Sequence, residues 1–144
     1  MKLSTRTRYG VRAILELAGN HGEGPMQIKM IAHRQDISIK YLEQLMAILK
    51  SAGLVRSIRG AKGGYILAKK ASQIKLIDVF NALEGQVTTV ECVENENYCA
   101  RVADCVARQL WAEVQKAIES VLQSMTLQDL VDRTRDKKAL SYQI

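Results

Sequence analysis

The stretch Ser38–Tyr65, SIKYLEQLMAILKSAGLVRSIRGAKGGY, decides the fold. Ile39, Leu42, Leu45, Met46 and Leu49 recur at three- and four-residue steps, which predicts a helix with one apolar stripe. Ser38 stands where an N-cap would, and Gly53 where a helix ends in the left-handed conformation. The opposite face carries Lys40, Tyr41, Glu43, Gln44 and Lys50. The period then changes. Val55–Ile58 and Tyr65–Leu67 read as short strands, joined by Arg59-Gly60-Ala61-Lys62-Gly63-Gly64, a basic and glycine-rich tip. A polar-faced helix followed at once by such a hairpin is the layout of a winged helix-turn-helix, whose helix enters the major groove. A surface helix with a flexible loop would share the pattern, but the preceding turn and the charge distribution favour DNA.

Upstream, Arg8–Asn20 predicts a first helix with Val11, Ile14, Leu15 and Ala18 inward. His21-Gly22-Glu23-Gly24-Pro25 is a turn holding the only proline of the chain. Gln27–Gln35 predicts a short helix buried through Ile28, Ile31 and Ala32, and Asp36-Ile37-Ser38 turns it into the next one. Two helices with a tight turn between them make the helix-turn-helix unit. Its candidate DNA-binding residues are Ser38, Lys40, Tyr41, Glu43 and Gln44, with Arg59, Gly60 and Lys62 on the wing. Lys and Gln can bond purine edges and Glu can accept from cytosine N4, while Ser and Tyr mostly hold phosphates.

Charge divides the chain in the same way. Residues 1–70 hold 13 Lys and Arg against 4 Asp and Glu, a net +9, whereas residues 71–144 hold 8 against 11, a net −3. Only the first half is expected to meet a polyanion. At 144 residues, 47% of them apolar, the chain suits one domain, or one small domain with an appendage. No apolar run is long enough to span a membrane, and the first residues lack the apolar middle of a signal peptide, so the expected location is cytoplasmic. Neither a nucleophile–base pairing, a phosphate-cradling loop nor an H-E-x-x-H pattern is present, which argues against an enzyme.

Beyond the wing, Leu76–Leu83 predicts a short helix packing through Leu76, Val79, Phe80 and Leu83, ended by Gly85. Gln86–Val90 could be extended, and Glu91–Cys99 is polar and acidic. A long helix is predicted over 101–125, where Ala103, Ala107, Leu110, Val114, Ala117 and Val121 make a heptad seam. Val106, Trp111, Ile118, Leu122 and Met125 widen it. Such a broad apolar face reads as a dimer interface, with the core helix of a monomer as the alternative. Thr126-Leu127-Gln128-Asp129 predicts a capping box opening a last helix whose Leu127, Leu130 and Val131 need a partner surface. From Arg133 the tail is polar and is expected to fray.

Cys92, Cys99 and Cys105 fall in a polar loop with spacing C-x6-C-x5-C. An odd count in a reducing compartment argues against a disulfide framework. Thiolates at this density suit a metal, and the open spacing favours an iron–sulfur cluster over structural zinc. Redox-active or free thiols are the alternative.

Taken together these segments resemble the IscR/NsrR/CymR family of winged-helix transcription regulators from end to end, the IscR pattern most closely. The resemblance is carried by Arg8-Tyr9, Ile37-Ser38-Ile39, Tyr41-Leu42-Glu43-Gln44-Leu45 and Gly53-Leu54-Val55. Arg59-Gly60 with Gly63-Gly64-Tyr65 matches the wing, and Leu110-Trp111 and Leu127 the dimer region. It implies a homodimer with crossing long helices, bound to a partly palindromic operator in double-stranded DNA, with Arg59 in the minor groove. It also implies a sensory iron–sulfur cluster on Cys92, Cys99 and Cys105, 2Fe-2S ahead of 4Fe-4S, whose state selects promoters. One departure stands out. The histidine that completes the IscR ligand set is Arg108 here, and relatives drawing a carboxylate from the first helix have it where this chain has Arg8. His21 and His33 lie in the DNA-binding half, and Glu91, Glu94, Glu96 and Asp104 are the local oxygen donors. Three thiolates without the histidine are still expected to bind iron, with the fourth ligand unassigned.

The expected architecture is mainly α with a small β component. Residues 1–84 form the winged helix-turn-helix domain, 85–105 the cluster-binding loop, 106–133 the dimerisation helices and 134–144 a flexible tail. The expected function is a dimeric repressor-type regulator sensing iron–sulfur or redox status. A cluster-free regulator gated by thiol oxidation or a partner protein is the alternative, and an iron–sulfur carrier without DNA is a third reading.

Overall fold

A computed structural model describes residues 2–20 and 22–142. Met1, His21, Gln143 and Ile144 lie outside the described residues, and with them one of the two histidines and the end of the expected tail. Helix α1 spans Thr5–Gly19, α2 Ile28–Gln35 and α3 Ile39–Ser51. Strands β1 (Val55–Ile58) and β2 (Gly64–Leu67) pair antiparallel with Val55 opposite Leu67 and Ile58 opposite Gly64. Helices α4 (Leu76–Leu83), α5 (Glu91–Glu94), α6 (Val106–Ser124) and α7 (Leu127–Tyr142) follow. The result is the expected mainly helical winged helix-turn-helix with one long helix beyond it.

Helix α3 forms where its caps allow. The Ser38 hydroxyl accepts from the Tyr41 N–H at 3.2 Å, and Gly53 takes a positive φ of 74° just past the end. Leu42, Leu45, Met46 and Leu49 are fully buried against α1, α2, α4 and β1. Each such side chain contributes about 1.5–3 kcal/mol by leaving water. Ile39 departs from the expected stripe. It is 41% exposed, because the first residue of the helix precedes the turn that meets the core.

Helix α1 begins three residues earlier than its apolar pattern implied, since Ser4 caps it by accepting from the Thr7 N–H at 3.1 Å. Its buried face is also rotated, to Thr7, Gly10, Ala13, Ile14, Leu17 and Ala18, leaving Val11 and Leu15 half-buried. The start of α6 shifts the other way. The 101–125 helix expected there starts only at Val106, because Cys105 takes the N-cap and Val102–Asp104 forms a separate tight turn. Ala103 therefore lies outside the seam. Gln86–Val90 pairs with no strand among the described residues. The tail expected to fray is helical from Leu127 through Tyr142.

The two halves are stitched together. The Leu76 N–H donates to the Met125 carbonyl at 2.9 Å and the Leu127 N–H to the Ile74 carbonyl at 2.8 Å. Thr126 and Asp129 cap α7 reciprocally, by bonds of 2.8 and 3.3 Å. Leu127 and Val131 are then buried on α1, which supplies the partner surface their sequence required.

The N-terminus of α1 is held by Glu84, which follows α4. Its carboxylate accepts from the Ser4 N–H at 3.1 Å, from the Ser4 hydroxyl at 2.6 Å and from the Thr7 hydroxyl. Arg6 Nε donates to the Leu83 carbonyl at 2.7 Å. These bonds, the Ser4 hydroxyl foremost and the Thr7 hydroxyl next, hold the Glu84 carboxyl below its ordinary pKa of 4.5. A carboxyl depressed in the folded state stabilises it above the ordinary value and loses that contribution as pH falls through the folded one. The expected outcome is that wild type out-melts Glu84→Gln at neutral pH, with the gap closing as pH drops below about 4.5. Thermal melts of both proteins across that range check it, and a gap independent of pH would contradict it.

Candidate nucleic-acid interface and cysteine loop

Packing one face of α3 leaves the other free. Ser38, Lys40, Glu43 and Gln44 are exposed, and Tyr41 is half-buried. Lys50 is drawn away from that group, its ammonium donating to the Ser57 hydroxyl on β1 at 3.0 Å. The turn before α3 is made by Asp36, the one non-glycine residue with positive φ (52°) among the described residues, and by the Ile37 N–H, which donates to the Ala32 carbonyl at 3.0 Å. Buried Ile37 anchors that turn to the core.

The wing projects Arg59, Gly60 and Lys62 into solvent. Its tip closes through the Gly63 N–H on the Gly60 carbonyl at 3.0 Å. A Cβ at Gly63 would sit 2.1 Å from the Ile58 carbonyl oxygen, so no other residue fits there without moving the hairpin. Behind it, Met26 and Tyr65 exchange backbone bonds of 3.0 and 2.9 Å, fastening the wing to the segment before α2. The one ion pair among the described residues is Arg34–Glu16 at 3.4 Å. Among the described residues no carboxylate pairs with Lys40, Arg56, Arg59 or Lys62, the electrostatic condition for meeting phosphate.

Every expected DNA-binding residue is therefore on α3, at its cap or on the wing tip, and accessible at least in part. The sequence reading gave Arg12 and Gln35 no place at the interface and used Tyr9 only for the family resemblance. Tyr9 meets Tyr41, and Arg12 lies over Tyr9 and bonds Gln35. Tyr9 and Arg12 stand on α1, Gln35 on α2 and Tyr41 on α3, so no local periodicity joins them.

The cysteine loop is built differently. Cys92 lies in α5, Cys99 is exposed, and Cys105 caps α6, its Sγ accepting from the Arg108 N–H at 3.4 Å. Arg108, in the position of the family histidine, turns its guanidinium to the loop backbone. Its Nε donates to the Cys92 carbonyl at 2.7 Å and its Nη2 to the Val93 carbonyl at 3.5 Å. Gln115 makes a second fastening. It is the one buried residue of α6, at 6% exposure. Its side-chain oxygen accepts from the Thr89 N–H at 3.2 Å, and its amide N–H donates to the Glu94 carboxylate. Sequence signalled Gln115 only as a polar interruption of the seam beside Val114 and Ala117.

The donor chemistry of three free thiols suits iron. Their placement does not. Among the described residues no three Cys, His, Asp or Glu side chains gather as a metal would need. As arranged, Cys92, Cys99 and Cys105 do not fit a cluster.

Along α6 the expected seam lies bare. Val106, Leu110, Trp111, Val114 and Val121 are all at least 39% exposed. Ile118, Val121 and Leu122 line an apolar groove of about 360 Å³ with Leu3, Val11, Leu76, Val79 and Phe80. No helix among the described residues is long and apolar enough to cross a membrane.

Residues 3–133 match the Rrf2 family, described as an iron-dependent transcriptional regulator. The chain is 48% identical over 131 residues to Protein rrf2 of Nitratidesulfovibrio vulgaris, covering 91% of this chain and 87% of that one. Among solved structures it is similar to CymR, the global cysteine regulator of B. subtilis, with TM-score 0.80, 43% identity and coverage of 92% and 98%. T. potens IscR gives TM-score 0.77 and 43% identity, with coverage of 93% and 88%. Winged-helix architecture, wing and long helix thus agree with sequence kinship over nearly the whole length, and the chain belongs to the Rrf2 family of transcriptional regulators.

Proposed function

We propose that this regulator works as a homodimer that reads a partly palindromic operator with α3 and the wing, and takes its signal through the three thiols of the 91–105 loop. The carrying observation is the pairing of an exposed polar α3 face with wing cations that pair with no carboxylate among the described residues. An iron–sulfur carrier would have no use for either. The bare α6 seam and the adjoining apolar groove support the dimer, since an apolar surface of that breadth is stabilised by a second copy. Half-sites about one helical turn apart, roughly 34 Å, suit such a two-fold pair.

Roles divide within the interface. Gln44, exposed on α3, is placed to read a base edge, and Arg59 to enter a narrow minor groove where negative potential is strongest. Ser38, Tyr41, Gly60 and Lys62 hold phosphates, with Lys40 and Glu43 available to bases. In binding titrations, Gln44→Ala is expected to relax preference at one base pair by about 1–3 kcal/mol. Arg59→Ala should weaken binding most at sites with an A·T-rich flank. Equal losses on specific and random duplexes for both variants would refute this division.

For the signal, the geometry supports gating by thiol oxidation without a cluster. Arg108 and Gln115 already hold the loop on α6, and no three metal-ligating side chains gather among the described residues. A second reading, a cluster on Cys92, Cys99 and Cys105, is favoured by three thiols within one loop beside Glu91, Glu94, Glu96 and Asp104. It requires the loop to leave its bonds to Arg108. Anaerobic reconstitution with ferrous iron and sulfide, followed by visible absorption, separates the two. Thiol gating expects no cluster in wild type and uptake in Arg108→His. A wild-type cluster that each Cys→Ala variant loses would establish the second reading instead.

A further inference from the structure

Helix α3 is not held at its DNA-facing end by the core alone. At that end Tyr41 meets the Tyr9 ring of α1 edge-on, with centroids 6.2 Å apart and planes at 84°. This is a favoured aromatic arrangement. The Arg12 guanidinium lies over Tyr9, its Cζ 5.2 Å from the ring centroid. The same guanidinium reaches across to the end of α2. Its Nε donates to the Gln35 Oε1 at 2.8 Å and its Nη2 to the Gln35 backbone carbonyl at 2.5 Å. Gln35 in turn donates to Glu16 at 2.6 Å, and Glu16 pairs with Arg34 at 3.4 Å.

The physical sense of these contacts is specific. Gln35 is the last residue of α2, where carbonyls lack helical partners and the helix dipole favours a cation. Immediately after it comes Asp36 in the left-handed region, which turns the chain toward α3. Arg12 adds, from α1, a hold on the residue before that turn, beside the one buried Ile37 supplies after it. Through Tyr9 it also sets the position of Tyr41, three residues past the Ser38 cap. Arg12 and Tyr9, in contact with each other, therefore tie α1 to both ends of the turn that aims α3.

Resting on the DNA-binding reading, we infer that Arg12 and Tyr9 are positioning residues of the interface, which set operator specificity by fixing the angle of α3 through Gln35 and Tyr41. Arg12 is itself exposed, so a direct phosphate contact is the rival role. The two differ in what they change. A phosphate contact alters affinity for every duplex and the salt slope by about one. A positioning residue alters discrimination.

The test uses the full-length protein, an operator selected from a random duplex library, and a shuffled duplex of equal composition. Arg12→Ala should lower affinity for the selected duplex on the order of tenfold, leaving the shuffled duplex and the salt slope unchanged. Arg12→Lys, which keeps the charge but not the fork geometry, should not restore discrimination. Tyr9→Phe should retain it and Tyr9→Ala should not. In the DNA-free protein, the Tyr41 ring resonances should shift in Arg12→Ala while the melting temperature stays near that of wild type. Equal loss on both duplexes with a reduced salt slope would overturn the inference in favour of phosphate contact, and so would unmoved Tyr41 resonances. Failure of wild type itself to discriminate would sink the DNA reading, and the Tyr41 resonances would still judge the Arg12 link.

Discussion

Burial of Leu42, Leu45, Met46 and Leu49 is the constraint from which the other elements take their places. These four side chains have no exposure worth the name, and α1, α2, α4 and β1 all pack around them. Truncating any one to alanine leaves a cavity costing about 2–5 kcal/mol. Because the buried stripe occupies one side of α3, the polar side is fixed in orientation as well as composition. The wing follows directly, since Leu54 and Val55 are buried in the same core and set where the hairpin begins.

The C-terminal half depends on that core more than its opposite charge suggests. Paired backbone bonds at Ile74, Leu76, Met125 and Leu127 bring the end of α6 back beside the start of α4. Helix α7 then lays Leu127 and Val131 on α1. Helix α6 remains as a bridge, tied at its C-terminal end to the DNA-binding unit and at its N-terminal end to the cysteine loop. Glu84 in turn joins the start of α1 to the end of α4.

The cysteine loop is held by polar contacts rather than by burial. No residue of 91–105 is buried, whereas Arg108 and Gln115 bond its backbone and its Glu94. A segment lacking apolar anchorage opens at lower free energy than the core, which is the property a signal-receiving element needs. Arg108 puts a guanidinium, a donor that cannot serve as a metal ligand while charged, on the Cys92 and Val93 carbonyls. The loop geometry seen here is thereby one the protein reaches with its own side chains.

Sequence alone determined the elements whose signal is local. The stripe Leu42-Leu45-Met46-Leu49, the Ser38 cap, Gly53, the wing glycines and helix Leu76–Leu83 were all legible, because periodicity and capping act over a few residues. The seam on α6 was legible too, apart from Ala103 and the helix start, which Cys105 displaced by capping. Tertiary structure decided the rest. Ile39 matched the stripe yet faces solvent, and the inward face of α1 turned toward Gly10 and Ala13, with the Leu83 side chain packed closely on Gly10. The Arg12–Gln35 and Arg108–Cys92 bonds join residues 23 and 16 positions apart, and Tyr9 of α1 meets Tyr41 of α3. Such pairs leave no periodic trace, because their geometry exists only after the helices have packed.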